Sequence, residues 1–195
     1  PIPSIKDKVI ITMAGDHGIV AEGVSAYPQE VTPQMVLNFL YGGAAINALA
    51  GHVGARIVVV DMGVAADMEP HPSLVIKKIA HGTANMAQGP AMTRQQAESA
   101  LVAGIEIITA EIEKGLDIVG TGDMGIGNTT PSAAIAAVLT GEAPAKIAGR
   151  GTGVDDDGLK RKIDAIERSI AVNQPDPKDG LDVLAKVGGF EIAGL

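Results

Sequence analysis

The sequence predicts an α/β fold, a Rossmann-like, doubly wound parallel sheet with helices on both faces, and three observations predict it. Two short β-branched runs, Lys8 to Met13 (KVIITM) and Arg56 to Asp61 (RIVVVD), have the continuous apolar character of strands buried on both faces. Between and after them lie segments with helical spacing of apolar residues, so the order alternates βαβ and then αβα. Hydrophobic residues make up 46% of the chain, yet it holds only two Phe, two Tyr and no Trp. The core must therefore be built from Ala, Val, Ile, Leu and Met, which suits helices packed on a sheet. At 195 residues the chain is read as one domain over residues 1–195.

The first strand, Lys8 to Met13, runs into Ala14-Gly15-Asp16-His17-Gly18, which puts polar residues at its C-terminal end. From Thr32 to Ala50 the positions Met35, Val36, Phe39, Leu40, Ala44 and Ile46 fall near helical spacing, and Gly42-Gly43 predicts a break. Arg56 to Asp61 repeats the strand signal, so Lys8 to Asp61 has the length of one βαβ crossover. Ala65 to Ser73, with Pro70 and Pro72, reads as loop, and Val75 to Ala80 as a peripheral strand. Thr93 to Lys114 begins with a Thr N-cap and is expected to bury Ala97, Ala100, Leu101, Ile105, Ile108 and Ile112 on one side. Asp117 to Val119 starts a further strand that enters a Gly-rich turn. Pro131 to Leu139 reads as a small-residue helix packed on the sheet.

Composition excludes several classes. Fifteen Lys and Arg against 23 Asp and Glu give a net charge of −8 with no basic stripe, which disfavours nucleic acid. With no Cys, disulfides, thiolate metal sites and thiol nucleophiles are absent. Individual apolar runs fall short of the roughly 20 residues of a membrane span, and Pro1-Ile2-Pro3-Ser4 lacks a leader-like block. A cytoplasmic protein without membrane or nucleic-acid partners is expected. The Pro start and the apolar stretch Phe190 to Leu195 read as cuts in a longer protein.

The strongest chemical signal is Gly120 to Pro131, GTGDMGIGNTTP. A strand feeding a Gly-rich turn and then a helix with Thr and Pro in its first turn presents backbone N–H groups and a positive helix end to an anion. The spacing fits neither the P-loop nor the full dinucleotide fingerprint. A second cluster, Gly149-Arg150-Gly151-Thr152-Gly153, precedes Asp155-Asp156-Asp157, read as helix N-terminal charges, and Lys162, a cation one turn or so further on. Successive strand-end loops share one edge of a parallel sheet, so the two clusters face one ligand, a phosphate on a sugar. The third group, Asp16, His17 and Asp61, allows a metal-dependent phosphoesterase as the alternative. A non-catalytic nucleotide-binding module is the other. The nucleophile elbow G-x-S-x-G is absent.

Taken in order, AGDHGIVAEGVSAYP (Ala14 to Pro28), VVDMG (Val59 to Gly63), GPAMT (Gly89 to Thr93), GDMGIGNTTP (Gly122 to Pro131), NQPDP (Asn173 to Pro177) and KVGGF (Lys186 to Phe190) resemble one family. It is the nicotinate-nucleotide:dimethylbenzimidazole phosphoribosyltransferases of cobalamin lower-ligand synthesis. The resemblance runs from about Lys8 to the end. It implies transfer of phosphoribose from nicotinate mononucleotide to 5,6-dimethylbenzimidazole or a related azole, giving α-ribazole 5′-phosphate and nicotinate, with no metal or organic cofactor and a homodimer at full length. It places the ribose phosphate on Gly125, Gly127, Asn128, Thr129, Thr130, Gly151, Thr152 and Lys162. It lines the base pocket with Ser25, Tyr27, Gln34 and Met35, where Tyr27 and Met35 offer flat apolar contact.

Two departures from the family pattern follow. Asp123 stands where many members have Glu, one methylene longer, and is the nearest candidate for the ribose and oxocarbenium contact. The family's general base is a Glu expected beyond Leu195, and its small helical domain, which uses both chain ends, is expected to be largely missing. On that reading the chain alone binds ligand without turnover.

Overall fold

Strands β1 (Lys8–Gly15), β2 (Arg56–Gly63), β3 (Leu74–Ile76) and β4 (Ile118–Met124) form one sheet of order β3-β2-β1-β4 in the computed structural model, which describes residues 5–195. The opening Pro1-Ile2-Pro3-Ser4 lies outside the described residues. All three strand pairs are parallel. Alternation along β1 and β2 divides their side chains between two layers. Val9, Ile11, Met13, Val58, Val60 and Met62 enter one cluster, whereas Ala14, Val59 and Ile57 belong to the other. Because both faces are covered, β2 reads RIVVVDMG rather than an apolar–polar alternation.

Helices α1 (Val31–Leu40) and α2 (Ala45–Val53) cross from β1 to β2 over the second face, where Val36, Phe39 and Leu40 meet Val59 and Ala14. The break falls at Gly42-Gly43 as expected. Gly42 takes φ +79°, and the Gly43 N–H donates to the Asn38 carbonyl at 2.9 Å. Taken as one stretch of 23 residues, Val31–Val53 is long and apolar enough to cross a membrane by length and composition, contrary to the expectation from shorter runs. The structure divides it into these two helices, with Val36 and Ala50 buried. The peripheral strand is shorter than expected, three residues in place of Val75 to Ala80.

Helix α3 (Arg94–Glu113) starts at a capping box in which the Thr93 hydroxyl accepts from the Gln96 N–H at 3.2 Å and the Gln96 side chain accepts from the Thr93 N–H at 2.9 Å. Its buried face differs from the expected one. Ala97 and Ala100 are buried, but so are Ala103, Gly104, Ile107 and Glu111, while Leu101, Ile105 and Ile112 are exposed at 38%, 63% and 59%. The reason is close approach: α8 (Phe190–Gly194) lies against Gly104, and a Cβ there would collide with the Gly194 carbonyl. The small-residue stripe, not the bulky one, faces inward.

Helix α4 (Thr129–Thr140) corrects a second expectation. Its buried Ala133 and Ala134 meet Ala165 and Ile166 of α6 (Asp156–Asn173) and Val183 and Val187 of α7 (Gly180–Val187), so it packs on helices rather than on the sheet. A short α5 (Pro144–Ile147) joins α4 to the loop before α6. Among the described residues strand β4 pairs with β1 alone, and Ile118 and Val119 are exposed at 49% and 36%.

Candidate active site

The chain moves outward from β1 through β2 to β3, then returns over the sheet in α3 to place β4 on the far side of β1. Strand order therefore reverses between β1 and β4, and an open parallel sheet offers its ligand crevice at the carboxyl ends of the strands flanking such a reversal. Ala14 and Met124 are partners across the ladder, so the two strands deliver Asp16-His17 and the Gly-rich turn side by side.

A cavity of about 280 Å³ opens there. Its wall holds Asp123 from β4, Gly125, Gly127, Asn128 and Thr129 from the turn and the start of α4, Gly151 and Thr152 from the following loop, and Lys162 from α6. The two glycine clusters singled out in the sequence thus share one pocket, with Ser25 at its rim. The turn is pinned from the opposite face of the sheet, since the Ile126 N–H donates to the buried Thr32 hydroxyl at 3.0 Å. The positive end of α4 faces the cavity through Asn128 and Thr129.

Lys162 dominates the electrostatics. It is 1% exposed, and its Nζ donates to the Thr129 hydroxyl at 2.6 Å and to the Gly149 carbonyl at 3.1 Å. Both partners are neutral, and burial pushes the amine below its ordinary 10.5. A buried amine with neutral partners, facing a cavity at a helix N-terminus, has the chemistry that an anion requires. Gly151 makes the approach possible: its φ is +55°, and a Cβ would sit 3.2 Å from Thr129 Oγ1 and 3.6 Å from Lys162 Nζ.

Asp123 is exposed at the cavity mouth, and its Oδ2 accepts from Asn128 Nδ2 at 2.6 Å. That bond fixes the carboxylate over the turn. The aspartates after the second cluster take the role expected of them: Asp155 caps α6 by accepting from the Gly158 N–H at 2.7 Å, and Asp156 and Asp157 occupy the first turn.

Other residues lie elsewhere. Thr130 is fully buried and is not part of the cavity wall, its hydroxyl without a partner among the described residues. Tyr27, Gln34 and Met35 lie outside the cavity wall, and Tyr27 is 49% exposed. Arg150 does line the cavity, bonded to the Val154 carbonyl at 3.1 Å and to the Asp156 carboxylate. Its place between two glycines was the only sequence signal for it. Of the apolar wall residues, Val24 and Ile126 fall within Ala14 to Pro28 and Gly120 to Pro131 without being singled out, and Val154 falls in no motif.

The metal alternative loses its geometry. Asp16 Oδ2 accepts from the Ala65 N–H at 2.7 Å, Asp61 Oδ1 accepts from the Val64 N–H at 2.8 Å, and Asp61 Oδ2 lies 3.4 Å from Lys78 Nζ. His17 Nε2 faces Glu191 Oε1 at 2.8 Å. The carboxylates of Asp16 and Asp61 meet the loop after β2 while His17 faces α8, and no group of three His, Asp or Glu able to hold a metal occurs among the described residues.

Comparison with known proteins adds the following. A phosphoribosyltransferase family model matches residues 1–195. The chain is 60% identical over 193 residues to a nicotinate-nucleotide–dimethylbenzimidazole phosphoribosyltransferase of Roseiflexus sp. (strain RS-1), and 57% identical to one of Geobacter sulfurreducens, covering 99% of this chain and 55% of each relative. A crystal structure of CobT from Thermus thermophilus superimposes with a TM-score of 0.94 at 50% identity, covering 98% of this chain and 57% of that one. The chain thus spans just over half the length of the relatives it matches.

Proposed function

The chain belongs to the phosphoribosyltransferase family, and from that premise we propose that it supplies the phosphoribose-binding core for transfer from nicotinate mononucleotide to 5,6-dimethylbenzimidazole, the reaction named for its relatives. The observation that carries this reading is Lys162, a buried cation with neutral partners beneath a Gly-rich turn and a helix N-terminus.

The chemistry follows from the placement. The 5′-phosphate sits on Lys162, Thr129 and the Gly151-Thr152 loop. With the phosphate anchored, the ribose extends towards Asp123 at the mouth, and C1′ lies on the Ser25 side of the cavity. The bond from C1′ to the nicotinate nitrogen breaks as the azole nitrogen bonds to C1′ from the opposite face, inverting that carbon. The second azole nitrogen gives its proton to a base. Positive charge grows on the sugar in between, and the Asp123 carboxylate, steadied by Asn128, stabilises it. Ser25, Tyr27, Gln34 and Met35 are assigned to the azole side, where Tyr27 supplies an exposed flat ring. A cytoplasmic homodimer belongs to the same proposal on the strength of the family resemblance.

The test is a calorimetric titration of the chain with nicotinate mononucleotide, nicotinate riboside and inorganic phosphate. The mononucleotide and phosphate should compete for one site, and the riboside should bind at least about tenfold more weakly, as loss of charge-assisted hydrogen bonds requires. Equal binding of riboside and mononucleotide would overturn the assignment.

A further inference from the structure

Directly below the anion turn lies an ion pair that the proposed reaction does not use. His17 and Glu191 are 1% and 0% exposed, with Nε2 and Oε1 2.8 Å apart. Neither His17 Nδ1 nor Glu191 Oε2 has a hydrogen-bond partner among the described residues, so the pair depends on its own opposite charges to offset desolvation. Three glycines from three segments enclose it. A Cβ on Gly125 would lie 3.0 Å from His17 Nε2, and one on Gly15 would lie 2.6 Å from Glu191 Oε2. One on Gly189 would lie 2.6 Å from His17 Cε1 and 2.8 Å from Glu191 Oε2. The end of β1, the first residue of the anion turn and the α7–α8 turn therefore close on this pair and leave room for nothing else.

The charges around it form a consistent set. Burial by itself pulls the imidazole pKa down, but Glu191 from α8, Asp16 beyond β1 and Asp123 from β4 push it up, and the net value lies above 6.5. When the proton is present, the pair is neutral overall. When it leaves, a buried carboxylate without a counter-ion lies beneath the turn that binds phosphate.

We propose that His17 is the positioning residue of the anion cradle: paired with Glu191, it packs against Gly125 to hold the turn and screens the Glu191 charge from the bound anion. The proposal rests on the phosphate-cradle reading. It makes anion affinity depend on one proton that never touches the ligand.

Sulfate, whose own charge is constant across the range, is the probe. Wild-type affinity should fall about three- to tenfold as pH rises through the His17 titration, which NMR of the imidazole Cε1–H follows in the same samples. Amide signals of Gly125 to Thr130 should titrate with the same midpoint. In Glu191→Gln the imidazole midpoint should drop and the fall in sulfate affinity over that range should vanish, because no carboxylate is left to expose. Lys162 remains in both proteins and supplies a common background at higher pH. A wild-type affinity that ignores the imidazole midpoint, or a Glu191→Gln protein that keeps the full pH dependence, would overturn the proposal. The wild-type measurement decides even if the variant does not fold. Turn amides that titrate with His17 while sulfate fails to bind at any pH would instead break the cradle reading.

Discussion

The proposed phosphate cradle and the proposed base-side segment, Ser25 to Met35, meet at Ser25 in the cavity wall, yet they rest on different support. The cradle gathers β4, the start of α4, the Gly151 loop and α6, and its central contact, Lys162 to Thr129, joins residues 33 apart in sequence. The stretch proposed for the base side is contiguous: before α1 it is held by a bond from the Tyr27 N–H to Ser25 Oγ at 3.2 Å and leaves Tyr27 half exposed, and its later residues Gln34 and Met35 lie on α1. A buried charge tolerates few geometries, so the anion half is fixed by long-range packing. A flat apolar contact tolerates many. On the proposed assignment, phosphoribose recognition rests on contacts between distant segments, while contact with the acceptor rests on one contiguous stretch, which also pins the anion turn through Thr32.

The largest expected effect separates the two halves. Lys162→Ala should weaken nicotinate mononucleotide binding by about tenfold to a hundredfold, the loss of one or more charged hydrogen bonds. Tyr27→Ala should change it by less than about threefold. Equal losses in calorimetry would erase the distinction between a fixed and an adjustable half.

A smaller effect comes from the cradle's backbone. Gly151→Val introduces a side chain at φ +55° and within 3.2 Å of Thr129 Oγ1, so about 1–3 kcal/mol of stability should be lost. Thermal melting measures that loss, and phosphate affinity should fall with it. A variant as stable and as tight as wild type would show that the loop adjusts to a side chain at this position.

The smallest effect is a proton count. The folded pKa of Lys162 lies below 10.5, so the unfolded chain holds more protons in the window between the two values, and stability from this group rises with pH across it. A bound anion favours the charged amine and lifts the pKa again. Phosphate binding in that alkaline window should therefore take up protons, seen as a dependence of binding heat on buffer ionisation enthalpy. The uptake should be absent in Lys162→Ala.

Much of this was readable from residues alone, because the informative signals are local. KVIITM and RIVVVD read as buried parallel strands, Thr93 marks a helix start, and the GTGDMGIGNTTP turn brings Gly125, Gly127 and Thr129 to the cavity. What local pattern could not show was which face of α3 packs inward. That depends on Gly104 admitting α8 from almost ninety residues away in sequence. The same holds for Glu191, whose meaning comes from His17 and appears only when β1 and α8 are brought together. Asp16, His17 and Asp61 looked like ligands because they are grouped at strand ends. In space each is turned to a different neighbour.

Strand β4 is both the wall that carries Asp123 and the open edge of the sheet. In an edge strand one set of peptide groups is anchored to the neighbour and the alternate set faces outward. Hydrogen exchange along Ile118–Met124 should therefore divide into two interleaved populations, slow and fast. A strand laid along that edge would quiet the fast set, and because Asp123 belongs to the same strand, the exchange pattern reads the order of the backbone that carries the carboxylate.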